Sequence, residues 1–415
     1  MSKKVVVIGG GIIGLCSAYY LSKEGCEVTV IDQSSMDFGA SYVNAGYLTP
    51  SHIIPLAAPG AMKQGLKWMF NPSSPLFIKP RLDASFLQWV WAFNKSCSVK
   101  NVNNSIKAIK DINLLSVDLF SELKADEKFN FQLEHKGLLM LCQSEEVLNH
   151  EVEAAYLAAK EGLDVTVLNA SEVEKLQPNA QILSVGAVHY KCDWHTTPNV
   201  FMSEMKTHLE NKGVTFYKNE KVEDLQFSEG KIKEIKTQSQ SITADEFVLA
   251  AGSWSQLLSK KLGIKIPLEA GKGYRINTER ETGITIPAIL TEARVAVTPM
   301  DGFTRFAGTM EIAGIHHKIN PVRVEAIAKA AEKYYVNVSI NEEEKAHAAC
   351  GLRPVSPDGK PYIGKSSKCD NLTIATGHAM MGWSMGPATG KLVSEVILDK
   401  KCSMNLDAFH PDRKF

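Results

Sequence analysis

Residues 5–14 read VVVIGGGIIG. Val5 to Ile8 is a β-branched run without alternation, as expected of a strand buried on both faces of a parallel sheet. Glycines follow at once with the spacing Gly9-x-Gly11-x-x-Gly14. From Ile12 to Lys23 the stretch IIGLCSAYYLSK sets apolar residues at helical spacing, and Gly25 supplies a stop. Glu27 to Ile31 (EVTVI) reads as a second strand, so the unit is βαβ with a glycine turn at its first junction. Such a turn lets backbone approach a pyrophosphate and lets helix pack on strand, while the helix N-terminus at Ile12 and Ile13 faces the negative charge. Asp32, followed by Gln33, ends the second strand where an acidic side chain takes the ribose hydroxyls of an adenosine half. A bound dinucleotide is expected. The fingerprint alone does not separate a nicotinamide from a flavin dinucleotide.

The 415 residues are too many for one simple core, so two structural domains are expected. Forty-six Lys+Arg balance forty-six Asp+Glu, and no net field steers the chain toward nucleic acid or an anionic membrane. A small-molecule partner fits better. Eight scattered cysteines form no C-x-x-C pair, which predicts reduced thiols in a cytoplasmic setting and no metal site. The start MSKKVVVIGGG runs straight into a strand instead of a secretory leader, and no apolar run is long enough to span a bilayer.

Beyond Tyr47 the texture changes to turn-rich stretches (TPSHIIPLAAPG, NPSSP) and helical ones (ASFLQWVWAFNKS, KAIKDINLLSVDLFSELK), which reads as an insertion lying over the sheet. Strand signals return at Gly137 to Cys142 and Val214 to Tyr217. EDLQFSEGKIKEIKTQSQSITADEFVLAAG then reads as a meander ending in a buried strand, and Gly283 to Ala313 is strand-rich. NLTIAT at 371–376 gives one more buried strand, with a closing helix over Met385 to Leu398. Dinucleotide-type pieces at both ends with strand-rich pieces between predict an α/β plus α+β architecture. A Rossmann-like dinucleotide-binding domain (1–50, 193–265 and 345–415) interleaves with a β-sheet substrate domain (51–192 and 266–344).

The segments after the first unit, ASYVNAGYLTPSHIIPLAAPGAMKQGLKWMF, VLAAGSWS, KGYRI, FAGTMEIAG, GLRPVSPDGKPYIG and TGHAMMGWSM, resemble in this order those of bacterial FAD-dependent D-amino acid dehydrogenases. The wider group comprises D-amino acid, glycine and sarcosine oxidases. The resemblance spans nearly the whole chain and implies bound FAD and a β-sheet substrate domain. It implies cofactor contacts from Ser41, Asn44, Ala45 and Gly46, from Val222 at the adenine edge, and from Ala250, Ala251 and Gly252. Gly351, Gly377, Met380, Met381 and Gly382 complete the set, with His378 beside the flavin. Sarcosine oxidases attach flavin through a cysteine near this GLRP segment; Gly351 stands at that place, so non-covalent FAD is expected.

An amino-acid carboxylate is best held by a bidentate Arg, and Arg353 of the G-x-R-P segment is the candidate the resemblance implies. Tyr274 is a candidate second ligand, and Tyr47 and His52 are candidate pocket residues. The expected reaction is oxidative deamination of a small D-amino acid by hydride loss from the α-carbon, the imine hydrolysing to a 2-oxo acid, with no general base required. D-Proline or D-hydroxyproline dehydrogenation and glycine or sarcosine oxidation remain open beside it, as does flavin binding without turnover. The dehydrogenase resemblance implies a quinone or another carrier as electron acceptor. The aromatic stretches GLKWMF and FLQWVWAF read as buried helix faces, with peripheral contact at the inner face of a membrane left open.

Overall fold

The computed structural model describes residues 2–63, 65, 74–127 and 129–415. The fingerprint unit forms as its sequence predicts: strand Lys4–Ile8, helix Ile12–Lys23 and parallel strand Glu27–Ile31. Continuous β-branched runs are stable where both faces of a strand are covered, and Val5, Val7, Val28 and Val30 are all buried. The sheet extends to six strands in the order Thr215–Tyr217, Glu27–Ile31, Lys4–Ile8, Glu246–Leu249, Cys369–Thr376, Tyr362–Ser366. All neighbours pair parallel except the last pair, which is antiparallel. The helix Ile12–Lys23 packs against the closing helix Gly386–Ile397. A side chain at Gly390 would stand 2.4 Å from the Cys16 carbonyl carbon, so that glycine sets the closeness of the two helices.

The second layer is a nine-stranded mixed sheet. Its path runs Ala349–Val355, Glu269–Thr278, Phe303–Ile312, Val295–Met300, Ala288–Leu290, Leu138–Cys142, Gly186–Tyr190, Val165–Asn169, with Leu76–Ile78 paired beside Phe303–Ile312. Its apolar face packs with the helix Pro321–Tyr334 in a core that includes Ile276, Phe306, Ile327 and Tyr334. The expected meander separates: Val222–Ser228, Lys231–Thr237 and Ser241–Ile242 form their own small sheet, while Glu246–Leu249 joins the six-stranded one.

Two segments depart from the division read from the sequence. The helix Val99–Asp126, within 51–192, packs on the closing helix and contributes Phe120 and Leu123 to the core around Ile12–Lys23. The strand Ala349–Val355, within 345–415, is the edge strand of the nine-stranded sheet. Composition marks an element as helix or strand, whereas its partner layer is set by which apolar face it meets. Among the described residues no helix is long and apolar enough to cross a membrane.

The aromatic stretch on helix Ala84–Ser96 is two-faced. Phe86, Trp89 and Phe93 are buried, whereas Leu87 and Trp91 are 52% and 63% exposed. Of GLKWMF, only Gly65 lies within the described residues.

One buried acid ties the segment after the strand Tyr47–Leu48 to the rest. The Asp193 carboxylate accepts from the Ser51 amide (3.0 Å) and hydroxyl (2.5 Å), and burial pushes its pKa up from 3.8 to about 7. A raised acid pKa means the folded state binds the extra proton. The stability from this site is therefore full below pH 4 and is lost as pH rises through about 7. Asp193→Asn, which cannot ionise, should gain stability relative to the parent across that window by a few kcal/mol, about 1.4 kcal/mol for each pH unit crossed. Urea unfolding at pH 4, 5.5 and 7 checks this; a pH-independent difference between the two proteins would show that Asp193 ionises freely in the folded state.

Candidate functional site

The fingerprint turn lies at the C-terminal ends of the parallel strands, where crossovers leave a crevice. Gly9 has φ +114°, and a Cβ there would stand 2.4 Å from the Ala250 carbonyl oxygen; one at Gly14 would stand 1.8 Å from the Gly9 carbonyl oxygen. These two positions accept no side chain. From this turn a cavity of about 850 Å³ runs to the edge of the nine-stranded sheet, a size that suits a dinucleotide with room beside it.

At one end the Asp32 carboxylate accepts from the Gly10 amide (2.7 Å) and from the Ser34 amide and hydroxyl (2.8 and 2.7 Å). Gln33 and Val222 line this end, with Glu220, Glu223 and Lys261. In the middle, Gly9, Gly11, Ile12 and Ile13 face Ala250, Ala251 and Gly252. Ser41 also lines the cavity, and its hydroxyl accepts from the Ile12 amide, the first free N–H of the helix (2.9 Å). Asn44 reaches the wall, but its side chain is spent on its own loop, donating to Ser41 O (2.8 Å) and accepting from Gly46 N (2.7 Å).

This loop is held from the other layer by Arg305 on strand Phe303–Ile312. Its guanidinium donates to the carbonyls of Tyr42 and Asn44 (2.9 and 2.7 Å) and to the Asn277 side chain (3.0 Å). Burial, with help from the charge of Arg275, lowers its pKa to about 9.

At the far end the wall comes from the nine-stranded sheet: Gly351, Leu352, Arg353 and Gly273. The Arg353 guanidinium lies over Gly273, where a Cβ would stand 2.2 Å from Nη2. Its Nη1 donates to the Thr309 carbonyl (2.8 Å). Among the described residues no carboxylate pairs with it, and burial lowers its pKa to about 10. An unpaired buried cation is costly unless an anion joins it.

The loop carrying His378 docks on this strand, since Ala379 N donates to Pro354 O (2.8 Å). His378 is buried, with Nε2 at 3.0 Å from the Thr389 hydroxyl and Nδ1 without a partner. Burial drops its pKa to about 3, so the ring is neutral at ordinary pH. Met380 and Gly382 of the same loop also line the cavity.

Other expected residues lie off the cavity. The Tyr274 hydroxyl donates to Glu311 (2.8 Å) within the core under helix Pro321–Tyr334, because alternation along its strand turns Tyr274 to the face opposite Gly273. The Tyr47 hydroxyl sits 2.7 and 2.9 Å from the carbonyls of Ala288 and Val297, and His52 Nδ1 meets the Ser51 hydroxyl (3.1 Å). Gly14, Ala45, Gly46 and Gly377 serve backbone packing: Thr298 donates to Ala45 O, and a Cβ at Gly46 would meet Thr196 O at 2.2 Å and one at Gly377 would meet the Tyr362 ring at 2.8 Å. Met381 packs toward Thr49, its sulfur 3.8 Å from that hydroxyl. Cys350 also faces the core, its thiol directed at His317 O (3.5 Å).

The sequence did not single out His317, whose ring stacks on Trp254 with centroids 6.0 Å apart where the two layers meet. It lies in a loop without a motif; nothing in the sequence marked it.

The cavity thus runs from a glycine turn with an acid end to a wall that carries a partly buried cation. Residues 4–396 match the family described as "DAO: FAD dependent oxidoreductase", and the chain belongs to that family. FAD is therefore its cofactor, and the turn of Gly9, Gly10 and Gly11 facing Ala250 and Ala251 along the cavity fits a pyrophosphate. The fold is similar to glycine oxidase from Geobacillus kaustophilus (20% identity, all of both chains, TM-score 0.77). It is also similar to L-proline dehydrogenase from P. horikoshii (19%, 99% of this chain and 97% of that one, TM-score 0.76) and to iminodiacetate oxidase from Chelativorans sp. (19%, 98% of each, TM-score 0.73).

Gly14→Ala should drive its new methyl into the Gly9 carbonyl, at a cost of at least about 2 kcal/mol. The purified protein should lose its yellow colour, and its melting temperature should cease to rise on adding FAD. A variant that keeps stoichiometric FAD would show that the turn has room the geometry denies.

Proposed function

We propose that this protein oxidatively deaminates a small, uncharged D-amino acid, removing the α-hydrogen as hydride to give an imino acid that hydrolyses to a 2-oxo acid. The observation that carries the reading is Arg353, a cavity-wall guanidinium with a backbone carbonyl but no carboxylate to pair with. A substrate carboxylate would supply the missing anion through a charge-assisted fork. FAD, when bound, supplies the hydride acceptor. The chain's part is orientation: Arg353 fixes the carboxylate, and the sheet wall fixes the α-carbon against the cofactor. Neutral His378 leaves the positive charge at this end to Arg353, and its open Nδ1 is available to the cofactor or the substrate.

The side-chain preference rests on charge. The acids lining the cavity, Asp32, Glu220 and Glu223, belong to the fingerprint end, while Gly273, Leu352, Pro354 and Met380 near Arg353 are uncharged. A basic side chain would find no counter-ion there, and a neutral amine needs none. The D configuration is supported by the ordered segments resembling D-amino acid dehydrogenases. A cyclic substrate, D-proline or a hydroxyproline, is a second reading, favoured by the fold likeness to an enzyme described as an L-proline dehydrogenase.

Anaerobic bleaching of the flavin by a panel of D- and L-amino acids, D-hydroxyproline isomers, glycine and sarcosine tests the assignment; reduction by N-methyl glycines alone would overturn it. Arg353→Ala should raise KM for the best substrate by roughly a hundredfold, since truncating one partner of a buried charge pair costs about 2–5 kcal/mol, with FAD still bound. An unchanged KM in Arg353→Ala would take Arg353 out of the carboxylate contact.

For the electron acceptor we favour a quinone or another carrier, reached at a membrane surface. The support is the outer face of helix Ala84–Ser96: Leu87 and Trp91 stand exposed beside Leu82, and Lys95 lies 5.1 Å from the Trp91 ring. Trp and Leu with an adjacent cation suit a lipid interface. Co-sedimentation with anionic vesicles should be lost in Leu87→Ser/Trp91→Ser; equal sedimentation of parent and variant would reject the contact.

A further inference from the structure

The strand Phe303–Ile312 carries an irregularity opposite Gly273. Its pairing with Glu269–Thr278 runs Lys272↔Glu311 and then Tyr274↔Gly308, so Thr309 and Met310 together oppose the single residue Gly273. This is a β-bulge, a device that turns a backbone group out of the ladder and re-aims what it touches. Thr309 stands there at φ +60°. A β-branched residue rarely adopts that conformation, which Gly or Asn would occupy easily. Gly308 precedes it, but a Cβ there would meet Val295 and Ile327, so that glycine answers to packing. Pro75 fixes the next residue, its carbonyl accepting from Met310 N at 2.7 Å.

The consequence falls on one atom. The Thr309 carbonyl accepts from Arg353 Nη1 at 2.8 Å, while the guanidinium rests on the bare backbone of Gly273. A long side chain with no carboxylate partner has many rotamers, and this contact selects one of them. Among the described residues the buried Thr309 hydroxyl has no partner, so hydrogen bonding by that side chain does not explain its presence.

We infer that Thr309 is a positioning residue: the strained bulge holds its carbonyl as a fixed stop that aims the Arg353 guanidinium at the substrate carboxylate. The inference rests on the reading that Arg353 binds that carboxylate. A residue with a Cβ narrows the backbone conformations open to the bulge, whereas Gly would leave several. Strain at such a position persists when the surrounding structure over-determines it.

The test compares Thr309→Gly with Thr309→Asn in the FAD-loaded protein. Thr309→Gly should raise KM for amino acids roughly ten- to hundredfold, the cost of misplacing a clamp by about 1 Å, with kcat and the flavin spectrum little changed. Thr309→Asn, which tolerates the left-handed conformation, should bring KM back to within about threefold of the parent. An unchanged KM in Thr309→Gly overturns the inference, and so does a loss of KM, kcat and FAD together that Asn does not rescue. Arg353→Ala is measured alongside. If it leaves KM unmoved, the carboxylate reading itself fails, and a crystal structure of Thr309→Gly still decides the positioning: the guanidinium should have left the residue-309 carbonyl, and finding it in place refutes the aim.

Discussion

The molecule is organised around a place where backbone must pass backbone with no side chain between. Gly9 meets Ala250, and Gly14 meets Gly9, at distances that no Cβ tolerates. This close approach opens the crevice at the ends of the parallel strands, where the first helical amide, Ile12 N, donates to the Ser41 hydroxyl. The cavity that begins there ends against a different sheet, so it runs along the seam between the two layers.

Charge is distributed along that seam in a way that follows from burial. Arg305 is buried and Arg353 partly buried; among the described residues neither has a carboxylate partner, and desolvation lowers the pKa of both. Their partners differ. Arg305 is satisfied by the carbonyls of Tyr42 and Asn44 and by Asn277, so it ties the nine-stranded sheet to the loop at Tyr42 to Asn44. Arg353 has one carbonyl and an open side toward the cavity, which leaves it able to take a ligand. By contrast, Lys272 of the same sheet and Arg323 of the helix Pro321–Tyr334 both pair with Glu311.

Much of the fold was legible because its signals are local. The helix Ile12–Lys23 and the strand Glu27–Ile31 have the limits that period and punctuation predict, and Ala84–Ser96 follows its apolar spacing. Residues that line the cavity were legible where a motif carries its own geometry, as at Gly9 to Asp32, and where the resemblance marks a segment, as at Arg353. It was not legible at Tyr274, because a strand residue's face depends on register, and the bulge at Thr309 lies on the neighbouring strand. His317 was missed for a related reason: it meets Trp254 from far along the chain.

The sequence by itself determined the βαβ cofactor unit, the dinucleotide it serves and the interleaving of a second sheet. These depend on neighbours within a few residues, where period, glycine spacing and side-chain chemistry act directly. Only the tertiary structure decided which layer receives the helix Val99–Asp126 and the strand Ala349–Val355, which tyrosines leave the cavity, and what holds Arg353 in place. Those outcomes depend on pairing register and on which apolar faces meet, and both are set by contacts between residues far apart in the chain.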